Sequence, residues 1–474
     1  MSELKKIGEC KFEIAKSGAM RVPGIVYATD RMISHIKKEN VIKQVENVAS
    51  LPGIVRYSLA MPDVHWGYGM PIGGVAAMDP VNDGIISPGA IGYDINCGIR
   101  MLTTNLKEEK IKEKLPVLLQ AFFHSVPSGV GSKGTLRLGK SEVRDVLKKG
   151  AGWAVERGFG HEDDLLHTEE AGCLKDACPD FVSSRAQERG MPQLGTLGAG
   201  NHFLEIQKVA EVFNSELAKK WGIFKGQITV MIHTGSRGLG YQVCDDHLKA
   251  MQTASRKYNI TLPDRQLACA PFKSEEGRRY FAAMCAAANY AWCNRQIIMH
   301  RIRESFKKVL GSAEKELGLD LVYDVAHNIG KVEMFGGKKY FIHRKGATRA
   351  FPSGHPYLPQ EFQETGQPVI VPGSMGTSSY LLVGTSAAEE TFFSTCHGAG
   401  RQMSRHQALR EVRGSDLISE LGTRGILVLS AQLKTIAEEA PAAYKDVDEV
   451  VDACVTARIS QKVAKMVPLG VVKG

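Results

Sequence analysis

The chain has 474 residues, of which 43% are hydrophobic and 23% charged, and a net charge of +9. Such a mixture buries a large core and excludes a disordered or low-complexity chain; by length alone it allows two or three ordinary domains. The positive balance favours polyanionic partners without proving nucleic-acid binding.

In chain order, residues 30–47 predict a helix with one charged face, and residues 107–122 predict a second with Pro116 as a kink or restart. The strongest helix runs from Ser274 to Leu310. Ser274 can cap it, Glu275 and Glu276 suit its first turn, and its Ala-rich middle predicts burial. Short apolar strands lead into polar residues: Ile228–Ile232 into His233, Leu319–Val325 into His327, and Tyr340–Ile342 into His343. Pro368–Val371 leads into Gly373-Ser374-Met-Gly376, and Ser379–Val383 follows. Strand-rich and helix-rich stretches without regular βαβ alternation predict an α+β fold, with site residues in loops at strand ends. No apolar run is long enough to span a bilayer, and Met1-Ser-Glu-Leu-Lys-Lys lacks the apolar stretch of a signal peptide. With 10 cysteines in no regular framework, these features predict reduced thiols in the cytoplasm.

Five lone residues stand in short polar segments: Cys97 in Asp94-Ile-Asn-Cys97-Gly98, His202 in Gly200-Asn201-His202, His233 before Thr-Gly-Ser-Arg237, His327 before Asn328, and His397 before Gly398-Ala399-Gly400-Arg401. Any one of these histidines reads equally well as a hydrogen-bonded core residue. Together they predict one site built from distant loops. Asp94, Cys97, His202, His233 and His327 exceed the four ligands of one tetrahedral ion, whereas two ions sharing the thiolate would use them all. Ligand softness allows Zn, Co or Mn and leans towards Zn. His397 sits in an open Gly-rich segment before what reads as a helix start bearing Arg401 and Arg405, a setting for phosphate. A neutral imidazole there can attack phosphorus. Ser374-Met-Gly376-Thr-Ser-Ser379 offers a second hydroxyl-rich loop for a nucleotide or an ordinary turn.

Gly134-Thr-Leu-Arg-Leu-Gly139-Lys140-Ser141 matches the P-loop pattern formally. A poor preceding strand and bulky residues inside the loop argue against it. Three other functional classes therefore stand beside covalent nucleotidyl transfer: a two-metal phosphoesterase, a P-loop NTPase using Lys140, and a noncatalytic RNA-binding module.

The longer motifs resemble the RtcB family of RNA ligases. They are Pro62-Asp63-Val-His65-Trp-Gly67-Tyr-Gly69-Met-Pro71, Gly89-Ala-Ile-Gly92-Tyr-Asp94-Ile-Asn-Cys97-Gly98, Leu197-Gly198-Ala-Gly200-Asn201-His202-Phe203-Leu204-Glu205, His233-Thr-Gly-Ser-Arg237, His343-Arg344-Lys345-Gly346, Pro372-Gly373-Ser374-Met375 and His397-Gly398-Ala399-Gly400-Arg401. The likeness spans almost the whole chain. It implies a single α+β unit over residues 1–474 with a β-sandwich-like core and surrounding helices. It implies joining of RNA 3′-phosphate or 2′,3′-cyclic phosphate ends to 5′-hydroxyl ends, in tRNA splicing or RNA repair, with GTP as co-substrate. By the same likeness two Mn²⁺ ions would be held, one by Asp94, Cys97 and His202 and one by Cys97, His233 and His327, which displaces the preference for Zn. His397 would carry GMP. Asn201, His202, Phe203, Leu204, Glu205, His327, Asn328, Pro372, Gly373, Ser374, Met375, Ser379, the segment His397 to Gly400, Tyr444 and Lys473 would surround the nucleotide. Arg237 and Arg405 would meet RNA phosphates, and Arg344, Lys345 and Arg349 are further candidates beside the motif loops. Archease is the activating partner of many family members.

Overall fold

The computed structural model describes residues 3–474. Two large sheets dominate. The first has seven strands in the order Leu4–Gly8, Lys11–Ile14, Gly24–Tyr27, Ile54–His65, Ile72–Met78, Lys338–Lys345 and Asn328–Phe335. The second runs Leu321–Ala326, Gly98–Leu102, Ile228–Thr234, Phe203–Val212, Ser460–Lys473, Ser379–Gly384 and Pro368–Val371, with Leu427–Ser430 paired beside Ser460–Lys473. Its two outer strands, Leu321–Ala326 and Pro368–Val371, come back into contact, so the sheet is nearly closed into a barrel. Within these sheets only Gly24–Tyr27 with Ile54–His65 and Leu427–Ser430 with Ser460–Lys473 pair in parallel. The fold is α+β, as the absence of βαβ alternation predicts.

One apolar cluster joins the two sheets, bringing Val26, Leu59 and Val75 of the first against Val369 and Leu382 of the second. Behind the second sheet, Leu102, Leu204 and Ile232 pack against Leu119 and Ile302 of two helices. One of these is the long helix Glu275–Leu310. Ser274 Oγ accepts the Gly277 amide at 3.1 Å, and Gly311 ends the helix in the left-handed region. Its Ala283–Ala291 stretch is wholly buried, as its composition predicts.

Two predicted helices are each divided in two. Residues 30–47 form Asp30–Ile36, capped by Thr29, and then Val41–Ala49, which begins after Asn40. Residues 107–122 divide into Glu108–Ile111 and Leu115–Ser125. Pro116 lies in the first turn of the latter, where its missing N–H costs nothing. All ten cysteines are unpaired, and no helix among the described residues is long and apolar enough to cross a membrane.

Candidate functional site

Four adjacent strands of the second sheet deliver one ligand-type side chain each to the same end. Cys97 precedes Gly98–Leu102, His202 precedes Phe203–Val212, and His327 follows Leu321–Ala326. His233 lies inside Ile228–Thr234, opposite Ile99 and Phe203. Strand register therefore assembles the cluster, which the spacing along the chain cannot show.

The donor atoms form two groups that share Cys97. One is Cys97, His233 and His327 and the other Asp94, Cys97 and His202, with the atoms of each group within 4.8 Å of one another. Cys97 Sγ lies 3.3 Å from His233 Nε2 and 3.6 Å from His202 Nε2, and His327 Nε2 lies 3.4 Å from His233 Nε2. Metal–donor bonds of about 2.0–2.3 Å place tetrahedral donors roughly 3.5 Å apart, so this spacing fits donors facing a common ion. The tautomer of His202 agrees. Its Nδ1 is 3.0 Å from the Leu197 carbonyl, to which it donates, so a neutral ring aims its Nε2 lone pair at Asp94 Oδ2, only 2.9 Å away. Two acceptors at that distance call for a cation or proton between them. Burial and the neighbouring histidines hold His233 and His327 well below the usual imidazole range, leaving them neutral. Burial and Asp94 push the Cys97 thiol up, a trend that a bound cation reverses.

The loop carrying Asp94 and Cys97 is strained and clamped. Asn96 has φ 53°, outside the comfortable range of a residue with a Cβ. Arg295 of the long helix donates to the Asn96 carbonyl and to its Oδ1, and binds Asp324 at 2.8 Å through two nitrogens. Arg100 shares Asp324 at 2.8 Å. All three charged side chains are fully buried. Arg237, also at positive φ (56°), donates to Thr196 Oγ1. Gly198 has φ 95°, a backbone that favours glycine, and a Cβ there would displace the Arg237 guanidinium, 1.8 Å away.

His397 follows the short strand Ser394–Cys396 and faces the cluster, its ring 5.3 Å from that of His327. Its Nδ1 lies 2.5 Å from Asp63 Oδ2, and the same oxygen accepts the backbone N–H of His397 at 2.8 Å and of Gly398 at 3.3 Å. Asp63 is fully buried. This carboxylate fixes the proton on Nδ1 and leaves Nε2 as the free lone pair. Asp63 stands in a motif that sequence reading singles out without giving it this task. The two residues are 334 positions apart, and only the fold joins them. Gly400 closes the turn, because a Cβ there would meet the Asp63 carbonyl at 2.1 Å.

A cavity of about 430 Å³ lies over these groups. Of the expected nucleotide residues, Asn201, His202, His327, Asn328, Pro372, the segment His397 to Gly400 and Tyr444 line it, as do Arg405, Lys345 and His65. Phe203, Lys473 and Glu205 stand just beyond. Lys473 Nζ is 3.4 Å from Asn201 Oδ1 and 5.4 Å from the Phe203 ring centre. Burial raises Glu205 to about 8 and lowers Lys473 to about 8. Ser379 Oγ accepts the Gly373 amide, and Ser374 N donates to Thr377. The side chains of Leu204 and Met375 lie in apolar clusters rather than in the cavity. Glu439, buried, gathers Arg401, Arg405 and the Tyr444 hydroxyl. The helix after His397 begins only at Arg405, capped by Ser404, so Arg401 lies outside it and is held by Glu439 instead.

Three basic candidates are not free for RNA. Arg344 is fully buried and bound to Glu333 through two 2.7 Å contacts. Arg349 is buried against Glu170 at 2.6 Å. Lys345 donates to the carbonyls of Tyr68 and Gly89, and burial lowers it to about 7. His343 is likewise structural, accepting the Ser87 amide at 3.2 Å. At the formal P-loop, Glu142 takes the Gly139 amide at 2.9 Å, and no strand precedes Gly134-Thr-Leu-Arg-Leu-Gly139 directly. A carboxylate thus occupies the donor that a phosphate would need.

A thiol, three imidazoles and a carboxylate placed for two ions, beside a histidine oriented by a buried acid, define a candidate metal-dependent group-transfer centre. Comparison with known proteins agrees. The model of the family described as tRNA-splicing ligase RtcB matches residues 44–474. Proteins named tRNA-splicing ligase RtcB from Thermococcus kodakarensis and Archaeoglobus fulgidus are both 54% identical, over 100% and 99% of this chain and 99% of each relative. One of the same name from Nanoarchaeum equitans is 48% identical over 100% of this chain and 99% of its own length. The chain belongs to the RtcB tRNA-splicing ligase family.

Proposed function

We propose that this protein is a GTP- and Mn²⁺-dependent RNA ligase that joins RNA 3′-phosphate or 2′,3′-cyclic phosphate ends to 5′-hydroxyl ends through a GMP–histidine adduct at His397. The observation that carries the reading is the Asp63–His397 pair, whose free Nε2 faces a cavity shared with two donor groups. Asp94, Cys97 and His202 would hold one ion and Cys97, His233 and His327 the other. When bound, such ions neutralise charge on phosphoryl oxygens.

The chain's own residues supply the rest. Neutral His397 Nε2 attacks the α-phosphorus of GTP, a P–N bond forms, and pyrophosphate leaves. Asp63 keeps the proton on Nδ1 and stabilises the positive ring that results. Where the end is a 2′,3′-cyclic phosphate, water first adds to its phosphorus and breaks the P–O2′ bond, giving a 3′-phosphate and a 2′-hydroxyl. An oxygen of the RNA 3′-phosphate then attacks the phosphorus of the adduct, the P–N bond breaks, and an RNA(3′)pp(5′)G end is formed. The 5′-hydroxyl of the second RNA attacks the 3′-phosphorus and releases GMP. In this reading Asn201, Phe203, Lys473 and Tyr444 hold the nucleotide, and Arg237 and Arg405 meet RNA phosphates. The whole chain, residues 1–474, acts as one catalytic unit.

Incubation with GTP labelled at the α-phosphate, followed by denaturing electrophoresis, tests this. A labelled band in the wild type that is absent in His397→Ala is the expected result. Label retained by His397→Ala would sink the assignment. No band from folded, metal-loaded wild type, even with archease added, would favour a two-metal phosphoesterase.

A further inference from the structure

The cavity opens beside aromatic side chains that the core does not use. Tyr68 and Tyr93 line it. Tyr93 follows Gly92 and directly precedes the ligand-type residue Asp94. The Tyr68 and Tyr93 rings meet edge to face at 5.4 Å, and Tyr93 stacks on Tyr241 at 4.7 Å with 24° between planes. The array reaches solvent, for Tyr241 is 48% exposed and nearby Trp66 in the Tyr68 loop is 51% exposed. None of the three tyrosines belongs to an apolar cluster of the core. Large aromatic rings left half in water at a cavity mouth suit planar, partly hydrated partners.

The charge beside this array is positive. The Arg189 guanidinium lies over the Tyr241 ring, 5.3 Å from its centre, and Arg237 starts the helix that carries Tyr241. Among the described residues neither arginine makes an ion pair within 4.0 Å; Arg189 donates to Gln242 and Arg237 to Thr196. Two unpaired guanidinium groups beside stacked rings match the alternation of phosphate and base along a single strand. The Tyr68 end is held rigidly, because Lys345 binds the Tyr68 carbonyl.

We propose that Tyr68, Tyr93 and Tyr241, with Arg189 and Arg237, form a stacking platform for the terminal bases of a single-stranded RNA end. This rests on the reading of the site as an RNA-joining centre. The platform extends the ladder outward: the first base beyond the cavity takes the outer face of Tyr241, and Arg189 swings from over the ring to the adjoining phosphate. Stacking is indifferent to base identity, so the platform selects unpaired ends over paired ones and not one sequence over another. A paired end exposes only the outer face of its last pair, and its bases cannot be splayed apart to follow the array of rings and guanidinium groups.

The test uses the full-length protein and a short single-stranded RNA with a 5′-hydroxyl and 2-aminopurine near that end. Wild type should bind it and change the fluorescence through stacking. Tyr241→Ala should weaken binding roughly tenfold and abolish the change, while Tyr241→Phe retains both. Affinity for a blunt RNA duplex should be equal in the two proteins. Guanylylation of His397 by GTP, which needs no RNA, should be unaltered in both variants. Tyr241→Ala binding within twofold of wild type with the same fluorescence would overturn the platform. So would equal loss of GTP labelling, since Tyr241 would then support the centre itself. Wild type that forms the adduct but has no affinity for RNA would overturn the RNA reading with it. Binding without any adduct would remove the covalent chemistry and leave the platform standing.

Discussion

On the proposed reading, the smallest unit on which the chemistry depends is the pair Asp63 and His397. An amide at position 63 keeps the shape but no longer fixes the proton on Nδ1, so the ring can present the wrong nitrogen. Asp63→Asn should therefore slow GMP adduct formation by roughly 10³-fold or more. Its melting temperature and metal content should stay near those of wild type; single-turnover labelling beside a thermal melt checks this. Glu205 gives a second prediction. Burial raises it from 4.5 to about 8, so between those values the folded state keeps a proton that the unfolded state has released. Stability should fall as pH rises through this window, by up to about 5 kcal/mol, and level off above it. Glu205→Gln should lose that slope, and melts of both proteins from pH 5 to 8 decide. At this scale the sequence reading brings out residues of rare chemistry, Cys97 and His397, which the fold gathers at one cavity. It failed where a partner decides the role: Arg344 and Arg349 look like free cations until Glu333 and Glu170 are seen against them.

The long helix Glu275–Leu310 is the element that carries the centre's rigidity. Its cap and its apolar middle are legible, because capping and composition are local. Its supporting task is not, since Asn294 and Arg295 meet residues far away in the chain. Asn294 binds the amides of Gly195 and Thr196, and Arg295 binds the Asn96 carbonyl in the ligand loop. Arg295→Met would leave Asp324 paired with Arg100 alone in a fully buried setting. We expect a loss of about 3–5 kcal/mol in denaturant unfolding and a fall in bound metal at fixed Mn²⁺. Unchanged metal affinity would mean that Asn96 keeps its strained turn unaided. The same contrast explains the two split helices: Pro116 marks a start that is readable, whereas the break before Val41 carries no such mark.

Over the whole molecule, the α+β class follows from the pattern of elements, but the near-closure of the second sheet does not. Pairings such as Ser460–Lys473 with Phe203–Val212 join segments that nothing local ties together. Net charge of +9 is likewise a sum without a map. Its buried share, including Arg100, Arg295, Arg344 and Arg349, cannot meet a polyanion. RNA affinity should thus depend on few contacts. With Arg189, Arg237 and Arg405 engaged, the logarithm of the binding constant should fall against that of salt with a slope of roughly −2. A slope several times steeper would show that other surface cations take part.

The place of Ser460–Lys473 in that sheet has a consequence for how the protein is made. This strand sits between Phe203–Val212 and Ser379–Gly384, yet follows both in the chain. A ribosome therefore releases both flanking strands before the one that bridges them. Until it emerges, each presents an unpaired edge open to other nascent chains. Yield in the cell should accordingly depend on how long translation dwells over the final strand, and on chaperones that shield those two edges in the meantime.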